Sequence, residues 1–230
     1  MDALRWMGIV LLAVAAGLDR TAACQIMISR PLVVAPFAGW ILGVPFDGLL
    51  VGSVVELLWL GRLPVGAAIP PDDTQVAVGA VALSVLMGTA PGAQGNGFVL
   101  LCVLVALPIG KIGQVFDRLA RQWNERLVTR AELALVQGRL DRAEALHLRG
   151  LWHFAAASLA TFGTILGGGC LALWLLSPLV GPSLVSAAEP LRVLLPLVGI
   201  AVILGTINVN RAWTLFGASF GSALLLLWLA

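Results

Sequence analysis

Long apolar runs alternate with short polar interruptions along this chain, and one polar block breaks the pattern. The apolar runs fall at residues 6–18, 31–44, 46–60, 65–87, 98–109, 151–180, 190–207 and 213–229. A helix that spans a bilayer needs about 20 predominantly apolar residues. Several of these runs are shorter, and several are cut by Gly or Pro. That is the pattern of broken helices and re-entrant hairpins rather than of a simple bundle. The runs predict an all-α polytopic membrane protein with about six to eight transmembrane or re-entrant helices. Residues 89–97, TAPGAQGNG, read as a loop because Gly and Pro punctuate them.

The polar block is residues 111–150, which hold 13 of the 26 charged residues, eight of them basic. Excess Lys and Arg beside membrane segments places such a block in the cytoplasm. Leu119, Trp123, Leu127 and Val128 recur at helical spacing between the charges. One or two amphipathic helices follow from this, as a hairpin that turns near Gly138. The block is read as a solvated connector, with a docking surface for a cytosolic partner as the functional alternative. The chain then divides as one membrane-embedded domain, with a membrane half at 1–110, the charged segment at 111–150 and a second membrane half at 151–230.

Composition sharpens the class. Hydrophobic residues make up 60% of the chain and charged residues 11%, against roughly a quarter charged in soluble domains. Mean hydropathy is +0.99. So few charges cannot cover a soluble protein of this size, and the lipid bilayer is the implied surrounding. No basic run is interleaved with exposed aromatics, so no nucleic acid partner is expected. Cys24, Cys102 and Cys170 are far apart and lack metal-ligand spacing, as do His147 and His153. No metal, cofactor or catalytic residue is expected. The first apolar run, ending before Asp19-Arg20, is read as a retained membrane helix rather than a cleaved signal.

Chemistry concentrates in residues 48–73. Gly48, Gly52 and Glu56 are spaced to share one helical face. A carboxylate in an apolar run must be paired or must bind something. Glu56 is therefore either paired with Arg62 or another arginine, or a polar ligand contact. Asp72 and Asp73 follow Pro70-Pro71 and precede a new apolar run, so one suits an N-cap while the other could enter a cavity. Asn208 and Arg211, with Asn210 between them, carry donors and acceptors suited to a hydroxyl-rich ligand. Gln25, Ser29 and Arg30 form a similar polar break, with Arg30 either snorkelling to the interface or touching ligand. Four Gly-x3-Gly pairs, at 39/43, 48/52, 163/167 and 217/221, allow close helix approach. Gly167-Gly168-Gly169 is a candidate hinge.

Specific words then carry a resemblance. Ser29-Arg30-Pro31-Leu32-Val33, Gly39-Trp40-Ile41-Leu42-Gly43, Gly52-Ser53-Val54-Val55-Glu56-Leu57 and Val65-Gly66-Ala67-Ala68-Ile69-Pro70-Pro71-Asp72 resemble the IIC subunit of the mannose/fructose/sorbose-family phosphotransferase sugar transporters. Gly113-Gln114-Val115 and Ile207-Asn208 with Arg211-Ala212 resemble later landmarks of that family. The resemblance implies a membrane permease subunit paired with a IID membrane subunit, and a hexose or amino sugar as substrate. Cytosolic IIB and IIA subunits would carry the phosphoryl group, so no phosphoryl carrier is expected here. Association with further copies of the chain is left open. By the same resemblance, the Glu56 helix, the Asp72 turn and the Asn208 region would line the sugar path. Three departures stand beside it: only 19 residues follow Arg211, Asn210-Arg211-Ala212-Trp213 replaces the usual Met-Arg-Ala-Gly, and the charged stretch is unusually Arg-rich. A transport-inactive scaffold or regulatory subunit is the alternative.

Overall fold

The computed structural model describes residues 3–61, 69–88, 95–206 and 212–229. Among them the chain forms helices α1 (Ala3–Thr21), α2 (Pro31–Leu42), α3 (Pro45–Trp59), α4 (Asp73–Met87) and α5 (Asn96–Ile109). A 3₁₀ turn (Gly110–Ile112) leads into α6 (Gly113–Val136), α7 (Leu140–Thr206) and α8 (Ala212–Leu229). The helices start and stop where backbone chemistry dictates. Pro31 and Pro45 occupy first-turn positions of α2 and α3, where a missing N–H costs nothing. Gly43 ends α2 in the left-handed region at φ +85°. It is therefore a cap, and of the Gly39/Gly43 pair it is Gly39 that allows close helix approach, since a Cβ there would lie 3.1 Å from Gly48 Cα of α3.

The bundle is built around α4. Every residue from Thr74 to Ser84 is buried, as expected of a helix that is apolar or small on all sides. It touches α1, α2, α3, α5 and α7. Glycines set the close approaches. An added Cβ at Gly79 would lie 2.5 Å from Ile165 of α7, and one at Gly169 would lie 2.5 Å from Leu83. The Gly167–Gly169 triplet is thus a helical packing notch, not a break: α7 runs through it. Among the described residues, Gly163, Gly167, Gly217 and Gly221 have open space around the Cβ position, so helices are brought together at Gly48/Gly52 and at Gly39, which faces Gly48, and not at the two later pairs.

Two further boundaries differ from the sequence expectation. Within the apolar run 65–87, whose residues 65–68 lie outside the described ones, α4 begins at Asp73, where Asp72 caps it. The runs 151–180 and 190–207, the latter as far as Thr206, fall within α7. That helical run is not straight. Gly168 packs on Ile109, yet Val198 and Val202 share a cleft with Pro108 and Lys111. Thirty straight helical residues would carry the chain about 45 Å away, so α7 turns back between these points. Pro178, Pro182 and Pro190 fall in that stretch of sequence, and proline is the usual cause of a sharp helix kink.

The polar block forms the predicted hairpin. α6 and the first turns of α7 are joined at Gly138, which sits at φ +71°. The runs Asn96–Val136 and Leu140–Leu176 are long and apolar enough to cross a membrane, while α2 and α4 are shorter apolar helices.

Candidate functional site

The chain's apolar first helix ends in Asp19-Arg20, and both charges are put to work. Arg20 Nη1 lies 3.3 Å from Asp72 Oδ2, and Nε lies 3.3 Å from Asp73 Oδ1. Nη2 donates to the Pro71 carbonyl at 2.9 Å. One guanidinium therefore clasps the Pro70-Pro71 turn and the start of α4, with all three side chains largely sheltered from solvent. A planar fork with five donors suits this task; a lysine ammonium would not span it. Asp72 divides its oxygens. Oδ1 accepts from the Gln75 N–H at 3.0 Å and caps α4, while Oδ2 faces Arg20. Asp72 is thus the N-cap of the two, and Asp73, the candidate for a cavity, is paired with Arg20.

Glu56 is paired too. Its Oε1 lies 3.3 Å from Arg30 Nε, and Oε2 accepts from the Leu32 N–H at 3.2 Å. Arg30 is the N-cap residue of α2 but its side chain makes no cap bond. Glu56 supplies the missing acceptor from a neighbouring helix and places negative charge at the positive end of α2. The face it shares with Gly48 and Gly52 is the α2-packing face. A Cβ at Gly48 would lie 2.4 Å from the Ala35 carbonyl oxygen, and one at Gly52 would lie 2.7 Å from that of Pro31. Of the expected partners, Arg62 lies outside the described residues and Arg30 holds the place.

The segment between α1 and α2 is held by polar contacts. The Asp19 carboxylate accepts from Ile26 N–H at 2.7 Å and Ser29 N–H at 2.9 Å, and Thr74 Oγ1 donates to the Ser29 carbonyl at 2.8 Å. Cys24, Gln25 and Met27 all adopt positive φ, at +60°, +52° and +69°. Such geometry is uncommon outside glycine and persists where surrounding contacts over-determine it. Gln25 itself is exposed, and its side chain donates to the Thr21 carbonyl at 3.5 Å.

Beneath these groups the helices meet closely. Gln75 is fully buried; its Nε2 donates to the Ala13 carbonyl at 2.7 Å, while Oε1 has no hydrogen-bond partner among the described residues. A Cβ at Gly17 would lie 1.9 Å from Ser158 Oγ and 2.5 Å from Ser158 Cβ. Gly17→Ala is therefore expected to destabilise the fold by roughly 2–3 kcal/mol. Adding Ser158→Gly should restore most of the loss, read as the melting midpoint in one detergent; no recovery would contradict this packing. A cleft of about 380 Å³, lined by Trp59, Gly61, Pro71, Pro108 and Lys111 among others, opens beside the Asp72 turn.

The arrangement gathers Gln25, Arg30, Glu56, Asp72 and Asp73 at one end of the bundle, with carboxylates and arginines in pairs. A family model described as PTS system sorbose-specific IIC component matches residues 3–228. The chain belongs to this family. The sorbose-specific EIIC component of Lacticaseibacillus casei is 36% identical over 92 residues, 40% of this chain and 30% of that protein. The mannose-specific EIIC component of Escherichia coli strain K12 is 26% identical over 123 residues, 54% of this chain and 43% of that protein. This IIC-family chain thus matches less than half the length of these curated relatives. A cryo-EM structure of the mannose transporter ManYZ with microcin E492 superposes at TM-score 0.63 and 21% identity, covering 97% of this chain and 87% of the other. The shared fold is that of an α-helical membrane protein.

In this IIC chain, Asn208, Asn210 and Arg211 lie outside the described residues. Arg20 and Asp19 were missed as site residues. The signal was present: two charges ending an apolar helix need partners, and a second pair of unpartnered carboxylates stood at 72 and 73. Among the described residues no group of three or more His, Cys, Asp or Glu could hold a metal ion.

Proposed function

We propose that this chain is the IIC permease subunit of a mannose-type, phosphoenolpyruvate-dependent sugar phosphotransferase system in a bacterial inner membrane, which it crosses several times. The family match over nearly the whole chain carries this reading. Sorbose and mannose, named for the relatives, support a hexose or amino sugar as cargo. A IID membrane subunit is the proposed partner, with soluble IIB and IIA subunits bringing the phosphoryl group. The chain itself contributes a path rather than a catalytic group.

On this reading Glu56, Asp72, Asp73, Gln25 and Arg30 border the sugar path, joined by Asn208 and Arg211. Carboxylates and amides bind sugar hydroxyls well once they are partly desolvated. In the structure Arg20 and Arg30 occupy the carboxylates. Alternating exposure of the site then exchanges arginine contacts for sugar contacts.

The test is co-expression with IIB and IID, with IIA supplied, and measurement of phosphorylated-sugar uptake. Formation of the complex without IIA-dependent uptake would sink the permease reading in favour of a scaffold subunit. Glu56→Gln keeps the acceptor for Leu32 but loses the charge, and should lower uptake by roughly tenfold or more. Undiminished uptake would leave Glu56 with only its capping role.

A further inference from the structure

The turn from Ile69 to Asp73 lacks the means to hold its own shape. Pro70 and Pro71 have no N–H, so two of its backbone donors are missing. Among the described residues its one internal backbone bond runs from Asp73 N–H to the Pro71 carbonyl, at 3.1 Å. The carbonyls of Ile69, Pro70 and Pro71 therefore take donors from elsewhere in the chain. Arg20 of α1 serves two of them, Pro70 at 3.4 Å and Pro71 at 2.9 Å. The Ile69 carbonyl is served from another helix: Gln114 Nε2 of α6 donates to it at 2.5 Å.

Gln114 reaches Ile69 because the junction of α5 and α6 lies directly on the turn. Asp72 N–H donates to the Gly110 carbonyl at 3.4 Å. A Cβ on Gly113 would lie 3.0 Å from Asp72 Cβ and 2.8 Å from Thr161 Cγ2, so any side chain there would push junction and turn apart. Gly113 is buried and Gln114 half-buried. An amide is the suitable donor at this place. It bonds a carbonyl without adding charge beside Arg20, Asp72 and Asp73. Arg20 thus fixes the end of the turn that leads into α4, and Gln114 fixes the end that begins at Ile69.

We propose that Gln114 is a positioning residue of the sugar path: its bond to Ile69 sets the turn that presents Asp72 and Asp73. The sugar role rests on the permease reading above; the setting of the turn does not. Without this bond the turn populates other shapes. Sugar then binds only the fraction with the correct one, so apparent affinity falls by that fraction while the bound complex turns over as before.

The experiment uses the full chain with its IID subunit. Gln114→Met keeps the side-chain length and removes the donor. Hydrogen exchange in nanodiscs reads the turn directly. The amides of residues 72–76 should exchange about three- to tenfold faster than in wild type, with α2 and α3 unchanged. Uptake of radiolabelled mannose and, separately, of sorbose is measured with IIB co-expressed and IIA supplied. KM for the transported sugar should rise about three- to tenfold, with the maximal rate within about twofold of wild type. Gln137→Met, at the exposed end of α6, should change neither reading. Wild-type exchange at residues 72–76 in Gln114→Met would overturn the proposal. So would a melting midpoint more than about 10 °C below wild type, which would make Gln114 a contact of the whole fold. Faster exchange with an unchanged KM would overturn the sugar role and leave Gln114 holding a turn that sugar does not use. Absence of wild-type uptake would overturn the permease reading and the sugar role with it, and the exchange result would still decide whether Gln114 sets the turn.

Discussion

Arg20→Ala should destabilise the folded protein by about 3–5 kcal/mol, because it leaves two sheltered carboxylates without their cation. Three groups lose contacts at once: Asp72, Asp73 and the Pro71 carbonyl. The cap that Asp72 makes to Gln75 is also weakened, since repulsion from Asp73 is no longer balanced. Arg20→Lys should recover only part of the loss, because one ammonium cannot reach both carboxylates and the carbonyl in the same geometry. The triple variant Arg20→Ala/Asp72→Asn/Asp73→Asn should be more stable than Arg20→Ala alone. It removes the uncompensated charge, and asparagine still caps the helix. The comparison is of thermal midpoints in one detergent. An Arg20→Ala protein with the wild-type midpoint would mean that the clasp contributes nothing to the fold.

Gly48→Ala is expected to cost roughly 2–3 kcal/mol or more. Its new methyl would meet the Ala35 carbonyl at 2.4 Å and Pro36 Cα at 3.0 Å. Both are backbone atoms, so no rotamer change relieves the clash, and α3 must move off α2. That movement would stretch the bond from Leu32 N–H to Glu56 and open the packing of Val51 and Val55 in the core. Loss of the Arg30–Glu56 pair should follow as a secondary effect. Gly167→Ala is the matched control. Among the described residues nothing lies within 4 Å of its Cβ position, and alanine favours a helix over glycine by up to about 1 kcal/mol. A wild-type or higher midpoint is expected there. Equal effects at Gly48 and Gly167 would contradict the close approach of α2 and α3.

The two results together separate sequence signals that looked alike. Four glycine pairs had the same spacing, and spacing alone could not rank them. A glycine matters for packing only when another segment, by its backbone or its side chains, passes within touching distance, and that is a property of two segments. The charged residues behave similarly. Glu56 demanded a partner because a carboxylate in an apolar helix is costly. Which arginine answered depended on how the segment between α1 and α2 folds, with Asp19 holding Ile26 and Ser29. Arg62 is nearer in sequence, and nothing in spacing favoured Arg30, 26 residues away.

By itself the sequence determined the class, the α-helical content, the places where most helices begin, the amphipathic hairpin, the need for a partner at Glu56 and a helix cap at residues 72–73. These are local or compositional: apolar runs set helices in lipid, Pro and Gly set ends, and an aspartate before an apolar run sets a cap. The tertiary structure alone decided that α4 is the buried axis, that α7 doubles back to pack on α3, and that Arg20 joins the end of α1 to the Asp72–Asp73 turn. Each of these joins residues dozens of positions apart. The side chains involved have acceptable partners in several places, and only the three-dimensional packing of the helices selects one.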